Sequence, residues 1–260
     1  MGKDSAVEFN TGNKSLLGAF NGVRTFYAYG NVQLNARKVR GTKQVLGLLV
    51  INDREGSFIN RSRLALMYAI HVPISQRATL NAGLAAGFIN YFYKASNISA
   101  GGSAFAPNVD VGLWIHRPDF NIGISANQVI PSQLAPVDFV YTIDRFYNFN
   151  IDKSFSLGPY FSLTPCLVFR WQSEEYYTGD VGLIATIQDN LILALAYKYE
   201  QGASVSGGLE KVKLGPHILK MMFSYFSPIG NKTSYNPNAY EISLGFIPSR
   251  HKESVVIDEE

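Results

Sequence analysis

Apolar and polar residues alternate with a period of two along most of this chain. Between Thr79 and Phe92, aliphatic and aromatic side chains take every second position, and mostly small or polar ones lie between them, until Ile89 and Asn90 break the pattern near its end. The same division recurs over residues 108–116, 161–170, 191–199, 219–225 and 240–246. Successive side chains of a strand point to opposite faces of a sheet, whereas a helix repeats at about 3.6 residues. The pattern therefore predicts an all-β protein.

Fourteen strands are predicted, and the first and twelfth have the weakest pattern. Most span about 9 to 13 residues, the length that crosses a bilayer at a tilt. Aromatic residues gather near strand ends, for example at Tyr91 and Tyr176, as they do in the girdles of membrane barrels. These features favour a transmembrane antiparallel up-and-down β-barrel of an outer membrane over a soluble sandwich. The predicted strands are residues 15–21, 24–35, 43–52, 61–74, 79–92, 107–116, 120–128, 139–149, 158–171, 175–187, 190–200, 204–210, 217–227 and 238–248.

The connections between these strands differ in length at the two ends of the predicted barrel. An even strand number puts both chain termini on one side, which is the periplasm in outer-membrane barrels. Tight turns at 75–78, 118–119 and 189–190 then fall on that side, and the longer loops 93–106, 129–138 and 227–237 fall on the outside. We expect one barrel domain over residues 1–248, followed by a polar periplasmic tail over residues 249–260.

Composition agrees with a membrane location and excludes several other classes. Charged residues make up 17% of the chain, below the roughly 25% of soluble domains. The net charge is only +3, and the one basic run, residues 37–40, is not interleaved with aromatic residues, so nothing indicates nucleic-acid binding. The single cysteine, Cys166, excludes an internal disulfide and a two-cysteine metal site. The four histidines lack metal-ligand spacing, so we expect neither a metal nor a cofactor.

No segment of the sequence has the length of a transmembrane helix or the pattern of a signal peptide. The longest aliphatic run, residues 45–51, is far shorter than the roughly 20 residues that a helix needs to span a bilayer. The N-terminus lacks the apolar stretch of a secretory signal. Outer-membrane localisation would therefore require a signal peptide that is absent from this chain.

Catalytic motifs are also missing from the sequence. There is no GxSxG elbow, no paired set of metal ligands and no phosphate-binding glycine loop followed by a helix. His116 and Ser125 lie on adjacent predicted strands but near their opposite ends. We therefore expect no catalytic residues and do not predict an enzyme.

Several charged residues fall on the face that is predicted to point into the barrel. An unpaired charge away from water is costly, so these side chains should pair across the lumen or contact water. They could form a plug of salt bridges inside a narrow barrel, or line a polar channel or binding cavity. The predicted set is Arg63, Asp110, Arg170, Asp180, Lys198, Lys220 and Glu241.

Five sequence blocks in the first half of the chain resemble the PorP/SprF family. The block GLLVINDREG at 47–56 is similar to the family's G-x-x-x-x-N-D-K-x-G hairpin, and TFYAYGNVQL at 25–34 to its second strand. Residues 66–70, 80–87 and 105–113 resemble later family strands in the same order. The family's signal peptide and its N-P-A-x-x-G segment are not seen here. Beyond residue 113 only the strand pattern continues.

The resemblance implies a function that the residues do not themselves indicate. Members of the family are outer-membrane proteins of the type IX secretion and gliding motility machinery of Bacteroidota. They support the secretion or surface anchoring of a large adhesin or cargo protein, and they contact periplasmic lipoproteins of the machine. An outer-membrane pore and, in a different class, a soluble all-β binding domain are the alternatives. Asn52, Asp53 and Gly56 of the hairpin motif fit either of two roles, formation of a tight turn or contact with a partner protein.

Overall fold

A computed structural model describes residues 7–17, 22–34, 41–95, 100–137, 140–229 and 237–249. Seventeen strands occupy these ranges. They are β1 (Val7–Leu16), β2 (Arg24–Leu34), β3 (Lys43–Glu55), β4 (Ile59–Ser75), β5 (Ala78–Tyr93), β6 (Gly102–His116), β7 (Phe120–Asn127), β8 (Ser132–Leu134), β9 (Tyr141–Ile143), β10 (Phe146–Lys153), β11 (Phe155–Ser156), β12 (Phe161–Trp171), β13 (Tyr177–Ile187), β14 (Leu191–Lys198), β15 (Gly202–Leu214), β16 (His217–Pro228) and β17 (Ala239–Ile247).

The strands form one closed antiparallel barrel. Each long strand pairs with its neighbours in sequence, and β1 pairs with β17 from Phe9 opposite Phe246 to Leu16 opposite Ala239. The two-residue strand β11 extends β10 along β12, and β8 pairs only with β9 in a separate hairpin. Fourteen strands therefore make the wall, which confirms the predicted barrel and its even strand number. In the described ranges, no helix is long and apolar enough to cross a membrane.

Two predicted strands lie elsewhere along the chain than the sequence pattern indicated. The first strand is Val7–Leu16, whereas the prediction was 15–21, of which residues 18–21 lie outside the described part. The pattern missed β1 because Thr11, Asn13 and Ser15 occupy its outward face, where most positions of the other strands are apolar. The eighth wall strand is Phe146–Lys153 rather than 139–149. The tail predicted over 249–260 lies outside the described residues, apart from residue 249.

The two ends of the barrel differ in the length of their connections, as predicted. At the terminal end, where β1 begins and β17 ends, two residues join β4 to β5 and three join β6 to β7. At the opposite end, which we call the distal end, the connections 94–101, 128–145 and 229–238 are longer. The division is not complete, because the connection 35–42 at the terminal end has eight residues, and 56–58 and 199–201 at the distal end have three each. Short turns on the side of the termini and long loops on the other side are typical of outer-membrane barrels.

The outward face is apolar and the inward face is small and polar. Leu195 and Leu66 on the outward face are 62% and 61% exposed, whereas the inward Ala65 and Ala106 are buried. Apolar exposure of this extent around a whole sheet would be a severe liability in water. It is the expected surface of a wall that contacts lipid acyl chains.

Gly87 allows β5 to lie close to β4 on the inner face. A Cβ atom at this position would lie 2.7 Å from the Ala65 Cα and 2.8 Å from the Leu64 carbonyl carbon. Gly83, on the same face of the same strand, has no atom closer than 3.7 Å to such a Cβ. Because the backbone of β4 cannot move without shifting its register, we expect Gly87→Ala to destabilise the barrel by about 1–3 kcal/mol.

Gly83→Ala is the matched control for this substitution, and we expect it to be close to neutral. Urea unfolding of the folded barrel, followed by the shift between the compact and unfolded bands on a gel, measures both variants. Equal unfolding midpoints for the two variants would contradict the close approach at Gly87.

Candidate functional site

The charged residues predicted to face inwards have partners along the barrel wall. Lys198 lies 3.6 Å from Asp180 on the adjacent strand. The Lys220 Nζ donates to the Glu8 Oε1 at 2.9 Å across β17, and the Tyr27 hydroxyl donates to the Glu241 Oε1 at 2.8 Å across β1.

The two remaining partner sets follow the same geometry. Arg170 donates to the Asn148 Oδ1 at 3.1 Å and lies over the Phe146 ring. Arg63 on β4 forms an ion pair with Asp110 on β6, across β5. All these partners are on strands at most two apart in the sheet. Each of these interactions joins neighbouring or next-but-one strands and does not bridge opposite sides of the lumen. This differs from the cross-lumen pairing that the sequence suggested.

The longest described connection folds back into the distal mouth of the barrel. It joins β7 to β10, and we call residues 128–137 and 140–145 the distal loop. Leu134 of this loop is 1% exposed. The ring of Tyr141 stacks at 6.0 Å on both Tyr91 and Tyr93, which belong to the inner face of β5, and its hydroxyl is hydrogen-bonded to that of Tyr93. The distal loop therefore covers the inner faces of β5 and β6.

Asp110 is the centre of the polar contacts that hold the distal loop. Besides pairing with Arg63, its Oδ1 accepts from the Asn108 Nδ2 at 3.1 Å and from the Gln128 backbone N–H at 2.9 Å. Gln128 is the first residue of the loop and has a φ of 51°, a conformation that L residues with side chains rarely adopt. Its side chain bonds Asn108 at 2.7 Å and the Pro107 carbonyl at 2.8 Å. These bonds fix the angle at which the loop leaves β7.

The hairpin motif is linked to the same loop through a chain of side chains. Asp53 accepts from the Thr25 hydroxyl at 2.6 Å and from the Arg61 guanidinium at 2.7 Å. The Arg61 Nη1 donates to the Tyr91 hydroxyl at 3.3 Å. Tyr91 in turn stacks on Tyr141 of the distal loop. The motif carboxylate thus supports the inner wall against which the loop packs.

The other two motif residues stabilise the hairpin itself. Asn52 faces outwards and donates to the Asn60 Oδ1 at 2.7 Å and to the Ser62 hydroxyl at 2.8 Å, which ties β3 to β4. Gly56 begins the turn between the two strands with a φ of 78°, which favours glycine. The hydrogen bonds of Asn52 and the backbone angle of Gly56 agree with the interpretation of the motif as a tight turn.

A polar cavity lies on the inner face near the terminal end, with a volume of about 650 Å³. Its wall comes from β2 to β7 and β10. Asn31, His71, Asn81, Trp114 and Asn121 are among its lining residues. This cavity and the distal loop occupy opposite ends of the barrel interior.

Sequence reasoning missed several inward polar residues that the structure places beside the predicted ones. Glu8 was missed because β1 was not recognised, and Asp152 because β10 was predicted too early in the chain. Asn108 lies two residues before Asp110, so the period of two could have assigned it to the inner face. No sequence signal identified Gln128, because glutamine is not a residue that marks a left-handed backbone.

The described residues contain no group of three or more His, Cys, Asp or Glu side chains that could hold a metal ion. His116 is opposite Asn121 and bonds to it, whereas Ser125 is opposite Gly112, four residues away along β6. The separation of His116 from Ser125 agrees with the expectation from the sequence.

Comparison with solved structures defines the class of this fold. The toluene transporter TbuX of Ralstonia pickettii aligns with a TM-score of 0.64 at 11% identity, over 96% of this chain and 90% of that one. The monoaromatic hydrocarbon channel CymD gives 0.65 at 9% identity with the same coverage. The translocator domain of the autotransporter NalP from Neisseria meningitidis gives 0.50 at 11% identity, over 94% and 88%. At these identities the likeness concerns the fold alone, which is that of outer-membrane β-barrels.

The sequence comparison identifies the family. The family model described as type IX secretion system membrane protein PorP/SprF matches residues 1–246. This chain belongs to that family, which confirms the resemblance found in the sequence blocks. Among curated proteins, no sequence matches the chain.

Proposed function

We propose that this chain is a non-enzymatic outer-membrane component of type IX secretion that supports the delivery or surface anchoring of a partner adhesin or cargo protein. The observation that carries the proposal is the family match, which extends over the whole barrel from residue 1 to residue 246. Periplasmic lipoproteins of the secretion machinery are its proposed partners at the terminal end. The surrounding outer-membrane lipid is the proposed environment of its apolar outward face.

The distal end offers the surface on which a secreted protein could be held. Its connections carry exposed apolar side chains on separate loops, among them Phe58, Val140 and Tyr176. Aromatic and aliphatic residues in a polar rim are typical anchors of protein interfaces. The distal loop that carries Val140 is fixed by the contacts of Asp110 and Tyr141, so this surface is preorganised for a partner.

Deletion of the gene tests the proposal, and we expect it to remove a specific large protein from the cell surface. Protease shaving of intact cells followed by mass spectrometry measures the surface proteins. Affinity purification of the tagged barrel from native outer membranes identifies the partner. Unchanged surface proteins in the deletion strain would contradict the proposed role.

Two matched double variants then test separately the roles proposed for the two ends of the barrel. Phe58→Ser with Tyr176→Ser changes the distal end, and Leu157→Ser with Tyr160→Ser changes the terminal end, where both side chains are similarly exposed. We expect the first variant to lose the surface protein and the second to lose periplasmic lipoproteins. The compact gel band of the folded barrel is the control for both.

An outer-membrane pore is the second candidate, and the polar terminal cavity is the observation in its favour. Current across a planar bilayer that contains the purified barrel tests it. Stepwise conductance would support the pore, and a flat trace would exclude a passive channel.

A further inference from the structure

The strand β6 extends further towards the distal end than its neighbour β7. β6 covers Gly102–His116, but β7 pairs with it only from Val111 to His116. After β7 the chain leaves the wall at Gln128 and forms the distal loop, in which β8 pairs only with β9. One side of the distal half of β6 therefore has no neighbouring strand in the described part of the chain. We call residues 102–107 the free edge.

The backbone groups of Ser103 and Phe105 point out of the free edge. Alternate residues of an antiparallel strand direct their N–H and C=O groups to opposite neighbours. The Val129 N–H donates to the Val109 carbonyl at 2.8 Å, so the odd-numbered residues of β6 face this side and the even-numbered ones bond β5. The Pro107 carbonyl accepts from a side chain of the distal loop. Among the described residues, no backbone hydrogen bond reaches Ser103 or Phe105 from this side.

The free edge lies where the outer wall becomes polar. Phe105 is 66% exposed. Asn90 of β5 lies opposite Phe105, and Ser62 of β4 lies opposite Asn90, all on the outward face. Polar side chains on this face mark the boundary of the apolar band that contacts acyl chains. The inner face of the same segment is covered by the distal loop, because Ala106 is buried. The free edge is therefore accessible from the distal side of the membrane.

The sequence of the free edge lacks the features that keep exposed strand edges from pairing. Natural proteins protect such edges with charged side chains, prolines or bulges. Residues 102–106 have the sequence GSAFA, without a charge or a proline, and Pro107 lies only at the end of the segment. Unpaired N–H and C=O groups on an unprotected edge are the template to which an extended peptide adds as a further strand.

The free edge of a second copy of this chain cannot supply the missing strand. Copies inserted in the same orientation are related by a rotation about the membrane normal. β6 then runs from the distal to the terminal end in both copies, so their edges cannot pair antiparallel. Because barrel strands tilt by about 35–45°, the two edges would cross at about 70–90°, which excludes a parallel ladder as well. The free edge requires a strand whose direction the membrane does not fix, such as an extended segment of a protein outside it.

We propose that the free edge binds an extended, uncharged segment of the secreted partner protein as an added antiparallel β-strand. The added strand takes the place that β7 leaves, and an aromatic or β-branched residue of it packs beside Phe105. The assignment of this strand to the secreted protein rests on the function proposed above. The backbone pairing itself follows from the position and chemistry of the free edge.

Amide hydrogen exchange of the purified barrel, followed by NMR in detergent micelles, tests whether the edge is free. We expect the amides of Ser103 and Phe105 to exchange at least about a hundredfold faster than those of Ala104 and Ala106, which bond β5. Equal protection of the four amides would show that the edge is already paired within the chain and would overturn the proposal.

Photocrosslinking in intact cells tests the occupant of the edge. Benzoylphenylalanine takes the place of Phe105, and mass spectrometry identifies the crosslinked segment. We expect one segment of the same protein that deletion of the gene removes from the cell surface. The control carries the crosslinker in place of Phe169, which is 39% exposed on the outward face between two paired strands. This control should give no protein crosslink.

Ser103→Pro tests whether the partner pairs with the backbone. Proline removes one N–H donor of the edge without removing a bond to β5, and its ring obstructs an added strand. We expect the crosslink at residue 105 to fall about tenfold or more. Ser103→Ala is the matched control, because it loses only the hydroxyl that accepts from Asn90 and keeps the N–H. The compact gel band shows that each variant is folded.

The outcomes separate this proposal from the proposed function. If deletion of the gene removes the surface protein but residue 105 crosslinks only lipid or a second copy, the function stands and the strand addition is wrong. Equal crosslinking in Ser103→Pro and Ser103→Ala would also contradict strand addition, because the contact would then not involve the backbone. If deletion leaves the surface proteins unchanged, the proposed function fails, and with it the assignment of the strand to a secreted protein.

Discussion

Replacing Asp110 by alanine is expected to release the distal loop from the wall and to lower the free energy of unfolding by about 3 kcal/mol. The carboxylate neutralises Arg63 and accepts from Asn108 and from the Gln128 backbone. The side chains of Arg63 and Asp110 are only 22% and 14% exposed. Removal of Asp110 therefore leaves a charge and an N–H donor without partners, away from bulk water.

Two measurements together check this prediction. Urea unfolding gives the change in stability, and limited trypsin digestion follows cleavage after Arg145, whose guanidinium bonds the Val129 carbonyl within the loop. We expect faster cleavage in the variant. Asp180→Ala is the control, because its pair with Lys198 is more exposed and should contribute about 0–1 kcal/mol. Equal losses for the two variants would refute the central role of Asp110.

An arginine at Leu195 is expected to be similarly destabilising, for a different reason. Leu195 lies in the middle of β14 and its side chain points outwards, 62% exposed. A cationic side chain at the midplane of a bilayer costs about 2–4 kcal/mol, and near the interface about 0–1 kcal/mol. Leu191 faces the same way at the terminal end of the same strand. We therefore expect Leu195→Arg to cost several times more than Leu191→Arg.

The comparison must be made in lipid bilayers, because a detergent micelle adapts to a charged side chain. Reversible unfolding of the barrel from phospholipid vesicles gives both free energies. If Leu191→Arg is the more costly of the two substitutions, the midplane of the membrane lies closer to Leu191, and so further towards the terminal end, than the exposed apolar residues of the outward face indicate.

Strands whose outward residues are apolar could be predicted from the sequence, and strands without that feature could not. β5 and β14 were located to within a few residues, because lipid contact imposes a strict period of two on Leu84, Phe88, Leu193 and Leu195. β1 was not located, since polar residues occupy its outward face near the distal end. The period of two reflects the solvent on each side of the wall, and it disappears where both sides are polar.

The partners of the inward charges could not be predicted, although several of the residues could. Arg63 and Asp110 are 47 residues apart in sequence. The registers of β4 with β5 and of β5 with β6 put both residues on the inner face but place Arg63 level with Ala106, four residues along β6 from Asp110. The long Arg63 side chain spans this offset. Register is set by the whole barrel and not by local sequence. The path of the distal loop depends on Gln128 and Tyr141, whose contacts are equally non-local.

The pairing of β1 with β17 has a kinetic consequence. These strands close the barrel, yet Phe9 and Phe246 are separated by nearly the whole described chain. The entropy of joining such distant segments must be overcome before their hydrogen bonds form, which makes closure the slowest kind of β pairing. Until it occurs, β1 and β17 each expose an edge of unpaired N–H and C=O groups. An unfinished barrel is therefore prone to pair with other chains, and its safe assembly requires that both edges be shielded until they meet.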